Sequence, residues 1–319
     1  MPKVLVFSGP ALPLLDMSEK MKPAGWDLMV CTPETPPQDV LARADDADFI
    51  LVFGHGVTDE ALSRASKAKL VQLCSAGYDG VNLKLAGEMG IPVANNGGAN
   101  AIPVAEYAFT LIFATLRHAI LADQDTRKGD WMRPDLDGRD TWELFGKTVG
   151  IVGAGRIGST VAGMLRGFET ETLYTDPVRS EKAESFGARR VDLDELLSES
   201  DIVTLHTSLN ETSRKLISRR ELDLMKPSAI LINTCRGPVV DEAALINALE
   251  HKKIWAAGLD VFEQEPVGPD NPLLKMNNVV VGPHVAGKSQ ESYPRRVRFA
   301  FKNMQRVWEG QRPESVVGI

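Results

Sequence analysis

Thr148-Val-Gly-Ile-Val-Gly-Ala-Gly-Arg-Ile-Gly158 is the stretch that decides the fold. Its apolar run ends in Gly153, Gly155 and Gly158, spaced G-x-G-x-x-G. The next apolar run, Thr172-Leu-Tyr-Thr-Asp176, closes on an acid 18 residues past Gly158. The pattern reads as a buried strand, a tight glycine turn and then a helix. Each piece suits a dinucleotide. Gly153 permits the turn, Gly155 lets backbone approach a pyrophosphate, and Gly158 lets helix pack on strand. The helix N-terminus offers unpaired N–H groups to the anion. Three glycines alone are a weak signal; the strand before, the helix after and the acid beyond make it specific. Asp176 can accept hydrogen bonds from a ribose hydroxyl and would repel a 2′-phosphate, so NAD is expected over NADP. Arg179 lies close enough in sequence to soften that preference.

The motif begins at Thr148, so a domain's length of chain precedes it, and 319 residues suit about two domains. Upstream, the short apolar runs Lys3–Phe7, Leu28–Cys31, Phe49–Phe53, Leu70–Cys74 and Pro92–Ala94 alternate with helical candidates at Pro37–Ala44, Asp59–Ala65 and Leu83–Met89. That alternation predicts a parallel sheet covered by helices. Ala101–His118 is nearly all apolar and reads as one long buried or interfacial helix, with Pro103 in its first turn. The polar stretch Trp131–Trp142 reads as an excursion; its two tryptophans fit an interface or local packing equally well.

After the motif, strands are expected at Leu173–Thr175, Ile202–His206, Ile230–Thr234, Ala256–Leu259 and Val279–Val281, and helices at Glu195–Glu199, Ser218–Met225 and Glu242–Glu250. Ser289–Glu309 reads as a long basic helix that returns to the first domain. The fold class is therefore α/β, with two Rossmann-like parallel-sheet domains, one flavodoxin-like and one NAD-binding. Residues 1–100 plus 289–319 form the first and 101–288 the second, and a cleft between them is the expected substrate site.

Composition narrows the function. A net charge of −7 provides no basic face for nucleic acid. No apolar run approaches the roughly 18 residues of a membrane span, and the N-terminus lacks a signal-peptide pattern. Cys31, Cys74 and Cys235 are odd in number and far apart, so neither a disulfide framework nor a metal site is expected, and a reducing cytoplasm is the natural compartment.

Ligands in open α/β sheets sit beyond the carboxyl ends of the strands. That rule singles out Thr207, Thr234-Cys-Arg236, Asp260 and His284. Arg236, Glu265 and His284 make a chemical set. A guanidinium forks onto a carboxylate, a protonated imidazole can hand its proton to a carbonyl oxygen as hydride reaches carbon, and a carboxylate orients that imidazole. The hydride must come from a nicotinamide. Taken singly, each residue would pass for a surface salt bridge, a structural histidine or a loop acid.

Over nearly its whole length the chain resembles the D-isomer-specific 2-hydroxyacid dehydrogenase family, which includes glyoxylate/hydroxypyruvate reductases and D-3-phosphoglycerate dehydrogenase. The resemblance rests on Gly153–Gly158, on Leu196–Leu209, and above all on Met225–Glu242, with Asn233-Thr-Cys-Arg-Gly237 inside it. It implies that Arg236 binds substrate and that Glu265 and His284 are the acid–histidine pair. Arg156 and Ile157 would lie along the pyrophosphate. Thr207, Thr234, Cys235 and Asp260 would contact the cofactor, with Arg236 and His284 bordering it. In the first domain, Ser75-Ala-Gly-Tyr-Asp79 resembles the loop whose backbone N–H groups, here those of Ala76 and Gly77, hold the substrate carboxylate. A homodimer built around the second domain is implied too.

There are departures. The family's common Thr-Pro-Gly near Gly97–Gly98 and Ser at Pro103 are absent. Gly54-His55-Gly56 stands where relatives often carry an Arg or Ser pair, which argues against phosphoglycerate; His55 reads equally as a substrate contact or a surface residue. No length remains after the last helix for added regulatory domains. The implied activity is NAD-dependent interconversion of a small D-2-hydroxy acid and its 2-oxo acid. Two alternatives share the fold. A formate- or phosphite-type dehydrogenase is one, the formate enzymes being disfavoured by Glu265 where they carry Gln. A dinucleotide-sensing, corepressor-like binding protein is the other, distinguished by tight NADH binding without turnover.

Overall fold

Runs rich in Val, Ile, Leu and Phe build two sheets, parallel throughout, in the computed structural model, which describes residues 1–9, 13–54, 56–131 and 140–318. The chain divides into two units, Met1–Asn100 with Lys288–Ile319, and Ala101–Gly287.

In the first unit, β1 (Lys3–Ser8), β2 (Asp27–Cys31), β3 (Phe49–Phe53), β4 (Val71–Leu73) and β5 (Val93–Ala94) lie in the order β2-β1-β3-β4-β5. Side chains alternate across a strand, and β3 shows it. Phe49, Leu51 and Phe53 pack with Val4, Val6 and Trp26, and with Val297, Phe301 and Met304 of the helix Ser292–Trp308. Ile50 and Val52 face the opposite layer with Leu5, Leu62, Val71 and Leu73. Both faces are covered, so the strand is apolar at every position, as a central parallel strand requires. The helices Asp59–Arg64 and Leu83–Glu88 start at side-chain caps, Thr58 accepting from the Ala61 N–H and Asn82 from the Leu85 N–H.

In the second unit, β6 (Thr148–Val152), β7 (Glu171–Thr175), β8 (Arg189–Arg190), β9 (Ile202–Leu205), β10 (Ile230–Asn233), β11 (Ala256–Leu259) and β12 (Val279–Val281) take the order β12-β11-β10-β9-β6-β7-β8. From β6 the chain builds outward through β7 and β8, then returns to place β9 on the other side of β6. This reversal is the crevice where ligands of open sheets collect.

The apolar helix spans Ala101–Leu116 and packs Ala105, Ala108 and Ile112 against the layer holding Val149, Ile151, Val161 and Leu165. It does not run on to His118. That residue takes a left-handed backbone (φ 48°), and a second helix, Ala119–Lys128, starts after it with no buried residue. Trp131 is exposed, whereas Trp142 lies edge-on to Trp255 at 6.2 Å. Residues 132–139 of the intervening excursion are outside the described residues. Among the described residues no single helix is long and apolar enough to cross a membrane, and the three cysteines are buried thiols.

Candidate active site

The glycine turn is shaped by three different constraints. Gly153 has φ 92°, and a Cβ there would stand 2.8–2.9 Å from the backbone of His206 and Thr207. Gly158 lies against the end of β6; its Cβ would stand 2.0 Å from the Gly153 carbonyl oxygen. At Gly155 a Cβ would meet nothing within 4 Å. The turn is therefore closed toward the protein at Gly153 and Gly158 and open at Gly155, where the helix Arg156–Leu165 begins. Arg156 and Ile157 form its first turn, where N–H groups have no intrahelical acceptor.

Asp176 follows β7 and braces this turn. Its Oδ2 accepts from the Ala154 N–H at 2.8 Å and its Oδ1 from the Val178 N–H at 2.8 Å. Arg179 pairs with a carboxylate: its Nε and Nη2 fork onto Glu184 at 2.7–3.1 Å, and Tyr174 Oη donates to the same group.

At the carboxyl ends of β9 and β10, His206 bonds Thr204 Oγ1 through Nε2 at 2.9 Å, while its Nδ1 is buried and has no partner among the described residues. Burial pushes His206 down to about 3, so it is neutral at physiological pH. Thr234 Oγ1 is likewise buried and unpartnered. Thr207 Oγ1 lies 4.0 Å from Cys235 Sγ, and burial pushes that thiol up. The turn carrying Thr234, Cys235 and Arg236 is folded over Asn233. The Asn233 Oδ1 accepts from Cys235 N–H at 3.0 Å and its Nδ2 donates to the Arg236 carbonyl at 3.0 Å. Asn233 was not singled out from the sequence, although a polar residue closing the apolar strand Ile230–Asn233 was the available signal.

Glu265 and His284 meet: Nδ1 of His284 is 2.6 Å from Oε2 of Glu265. The other carboxylate oxygen accepts from the Phe262 N–H at 3.1 Å. Burial pushes the Glu265 carboxyl up. The hydrogen bond and charge of His284, the Phe262 N–H and the Arg236 guanidinium outweigh it and hold the group below its ordinary value. That influence puts Arg236 within electrostatic reach of the pair. With Nδ1 taken, Nε2 is the nitrogen of His284 that can carry a transferable proton.

Two further residues set this geometry. Gly237 leaves no room for a side chain, since a Cβ would stand 1.8 Å from the Phe262 carbonyl oxygen. Asp260, buried at the end of β11, accepts from the Val285 N–H (3.0 Å) and the Ala286 N–H (2.7 Å), while its own carbonyl accepts from the His284 N–H at 2.8 Å. It thus holds the turn on which His284 takes a left-handed backbone (φ 56°). Burial outweighs those amides and holds the Asp260 carboxyl above its ordinary value.

In the first unit, Ser75–Gly77 follows β4. Ser75 Oγ donates to the Gly77 carbonyl at 2.7 Å and Asn95 Nδ2 to the Ala76 carbonyl at 3.2 Å. Both carbonyls are tied down by side chains, which leaves the peptide N–H groups of Ala76 and Gly77 as the loop's donors. His55 lies outside the described residues.

These residues fit a nicotinamide dinucleotide. The turn is open only at Gly155, a helix N-terminus follows, an acid closes β7, and buried unpartnered polar atoms of His206 and Thr234 stand at neighbouring strand ends. Among the described residues no group of three or more His, Cys, Asp or Glu could hold a metal ion.

Comparison with known proteins bears on the same site. Residues 109–286 match the family described as D-isomer specific 2-hydroxyacid dehydrogenase, NAD binding domain. The chain is 38% identical over 299 residues to a glyoxylate reductase of Korarchaeum cryptofilum, covering 92% of this chain and 90% of that one. Among solved structures it is similar, at a TM-score of 0.86 and 27% identity over 100% of both chains, to an acyclic imino acid reductase in complex with NADPH and D-Arg. It is also similar to a D-lactate dehydrogenase with NAD+ from Lactobacillus jensenii, at a TM-score of 0.78 and 28% identity over 99% of this chain and 100% of that one.

Proposed function

The chain belongs to the D-isomer-specific 2-hydroxyacid dehydrogenase family, and from that premise we propose that it reduces a small 2-oxo acid of the glyoxylate or hydroxypyruvate kind to the D-2-hydroxy acid. The observation that carries this reading is the 2.6 Å bond between His284 and Glu265, with the Arg236 charge beside it.

Bound NADH supplies the hydride. Arg236 forks onto the substrate carboxylate; in the first unit, Ala76 and Gly77 are the proposed substrate-binding residues, through their backbone N–H groups. His284 delivers a proton from Nε2 to the carbonyl oxygen as that oxygen gains charge. Glu265 keeps the imidazole oriented and compensates its positive charge before transfer. Hydride on carbon and proton on oxygen complete the hydroxy acid.

The proposed cofactor residues are Gly153, Gly155, Arg156, Ile157, Gly158, Asp176, Thr207, Thr234, Cys235 and Asp260, with Arg236 and His284 at the reacting end. NAD is favoured over NADP because Asp176 presents a carboxylate after β7 and Arg179 is held by Glu184. Three buried thiols suit a reducing cytoplasm. A homodimer built on the second unit completes the reading, with neither nucleic acid nor membrane as partner.

A panel of 2-oxo acids with NADH and NADPH, read by loss of reduced-cofactor absorbance, tests it. Turnover of glyoxylate or hydroxypyruvate with NADH is expected. Tight NADH binding without turnover of any member would overturn it.

A further inference from the structure

The Ser75–Gly77 loop takes its shape from Asn95 and Asn96, which follow β5, and every residue involved lies in the first unit. The Asn96 main-chain N–H donates to the Ser75 carbonyl at 3.0 Å. Asn95 Nδ2 donates to the Ala76 carbonyl at 3.2 Å. These two bonds hold successive peptide planes. A trans peptide is rigid and planar, so its C=O and N–H point in opposite directions. A bond on the Ser75 carbonyl therefore fixes the direction of the Ala76 N–H. A bond on the Ala76 carbonyl fixes that of the Gly77 N–H. Both donors are turned away from the asparagines.

Asn95 is itself held on several sides. Its main-chain N–H donates to the Ser315 carbonyl at 3.1 Å. Its carbonyl accepts from Gln72 Nε2 at 2.9 Å, and Oε1 of that buried glutamine accepts from Asn303 Nδ2 at 2.7 Å. Its Oδ1 accepts from the Gly97 N–H at 3.1 Å. Gly97 has φ 62°, and a Cβ there would stand 2.4 Å from the Phe299 ring. This is the stretch where the family's common Thr-Pro-Gly is absent, and a proline, held at about −65°, could not take the place of Gly97. The turn that aims Asn95 is therefore a feature of this chain's own sequence.

The Asn96 side chain has a different task. It is fully buried; Nδ2 donates to Asn100 Oδ1 at 2.9 Å and Oδ1 accepts from the Gly98 N–H at 3.0 Å. Toward the loop it reaches the Cys74 carbonyl, at 3.5 Å. That peptide carries the Ser75 N–H, not those of Ala76 or Gly77.

We propose that Asn95 is a positioning residue for the substrate anion: by holding the Ala76 carbonyl it aims the Gly77 N–H at the carboxylate. The proposal rests on the 2-oxo acid reductase reading and deepens it. Without the Asn95 amide the peptide joining Ala76 to Gly77 is free to rotate, and binding a carboxylate must first re-aim it. Affinity for the 2-oxo acid then depends on the side chain at position 95, whereas affinity for the dinucleotide does not. Bound substrate and transition state share the loss, so it falls on KM rather than on kcat.

The test is steady-state kinetics of the full chain with glyoxylate and NADH, with melting temperatures measured alongside. Asn95→Ser keeps a short acceptor for the Gly97 N–H but cannot reach the Ala76 carbonyl. It is expected to raise KM for glyoxylate about tenfold, the size of one hydrogen bond to a charged group, with little change in kcat or in KM for NADH. Asn96→Ser, which strips a fully buried amide, should lower the melting temperature more and raise KM less. An Asn95→Ser enzyme with unchanged KM for glyoxylate overturns the proposal. So does a KM that follows the melting temperature across the two variants, which would leave Asn95 a structural residue. Where Asn95→Ser does not fold, Asn95→Asp keeps the acceptor without the donor, and an unchanged KM there overturns the proposal equally. A wild type that turns over no 2-oxo acid overturns the underlying reading and the proposal together, which distinguishes the two failures.

Discussion

Gly237 and Phe262 touch backbone to backbone, so close that a Cβ on Gly237 would stand 1.8 Å from the Phe262 carbonyl oxygen. The contact joins the turn carrying Arg236 to the loop carrying Glu265, and Glu265 in turn accepts from the Phe262 N–H. The proposed substrate arginine and the acid bonded to His284 are therefore set by one close approach.

Gly237→Ala should push the two loops apart. The chain remains folded, with a stability loss of about 1–3 kcal/mol. Because misplacement by an ångström costs on the order of a hundredfold in rate, kcat/KM should fall far more than the melting temperature suggests. Full activity in this variant would mean that the loops separate without consequence.

The buried imidazole of His206 makes a pH prediction. Its folded-state value is about 3 against an ordinary 6.5. Below pH 6.5 the unfolded chain takes up a proton there that the folded chain refuses, so this group lowers stability as pH falls from 6.5 toward 3. His206→Gln removes the titration and can keep a bond to Thr204. The melting temperatures of wild type and variant should converge, or cross, as pH is lowered through that window. Parallel curves would show that His206 titrates normally.

Cofactor choice should respond to a residue that contacts no cofactor. Glu184→Gln would release Arg179 while leaving an acceptor for Tyr174 Oη. The ratio of kcat/KM for NADPH to that for NADH should rise about two- to fivefold, the size of an exposed ion pair. An unchanged ratio would remove Arg179 from the account of NAD preference.

Much of the architecture was legible because parallel strands announce themselves. Phe49–Phe53 and Ala256–Leu259 are apolar at every position and flanked by turns, and Glu242–Glu250 begins after an acid that caps it. What escaped was local geometry without compositional mark. His118 breaks a helix with neither glycine nor proline to signal it, and Ala119–Lys128 buries nothing, so no apolar stripe shows it. The edge strand Arg189–Arg190 is two charged residues long. In the site, residue types identified Arg236, Glu265 and His284 as candidates. The parts that hold them, Asn233 beneath Arg236, Gly237 against Phe262 and the two amides on Asp260, depend on contacts between residues up to 26 positions apart. Such contacts leave no spacing rule to read.

The central claim is that His284, oriented by Glu265, protonates a 2-oxo acid while NADH reduces it. The most direct measurement is single-turnover oxidation of NADH by glyoxylate or hydroxypyruvate in wild type and His284→Ala, with NADH binding measured alongside. The expected result is rapid oxidation in wild type and a rate lower by about 10²–10⁴-fold in the variant, at unchanged NADH affinity. A His284→Ala enzyme that binds NADH and oxidises it at the wild-type rate would contradict the account.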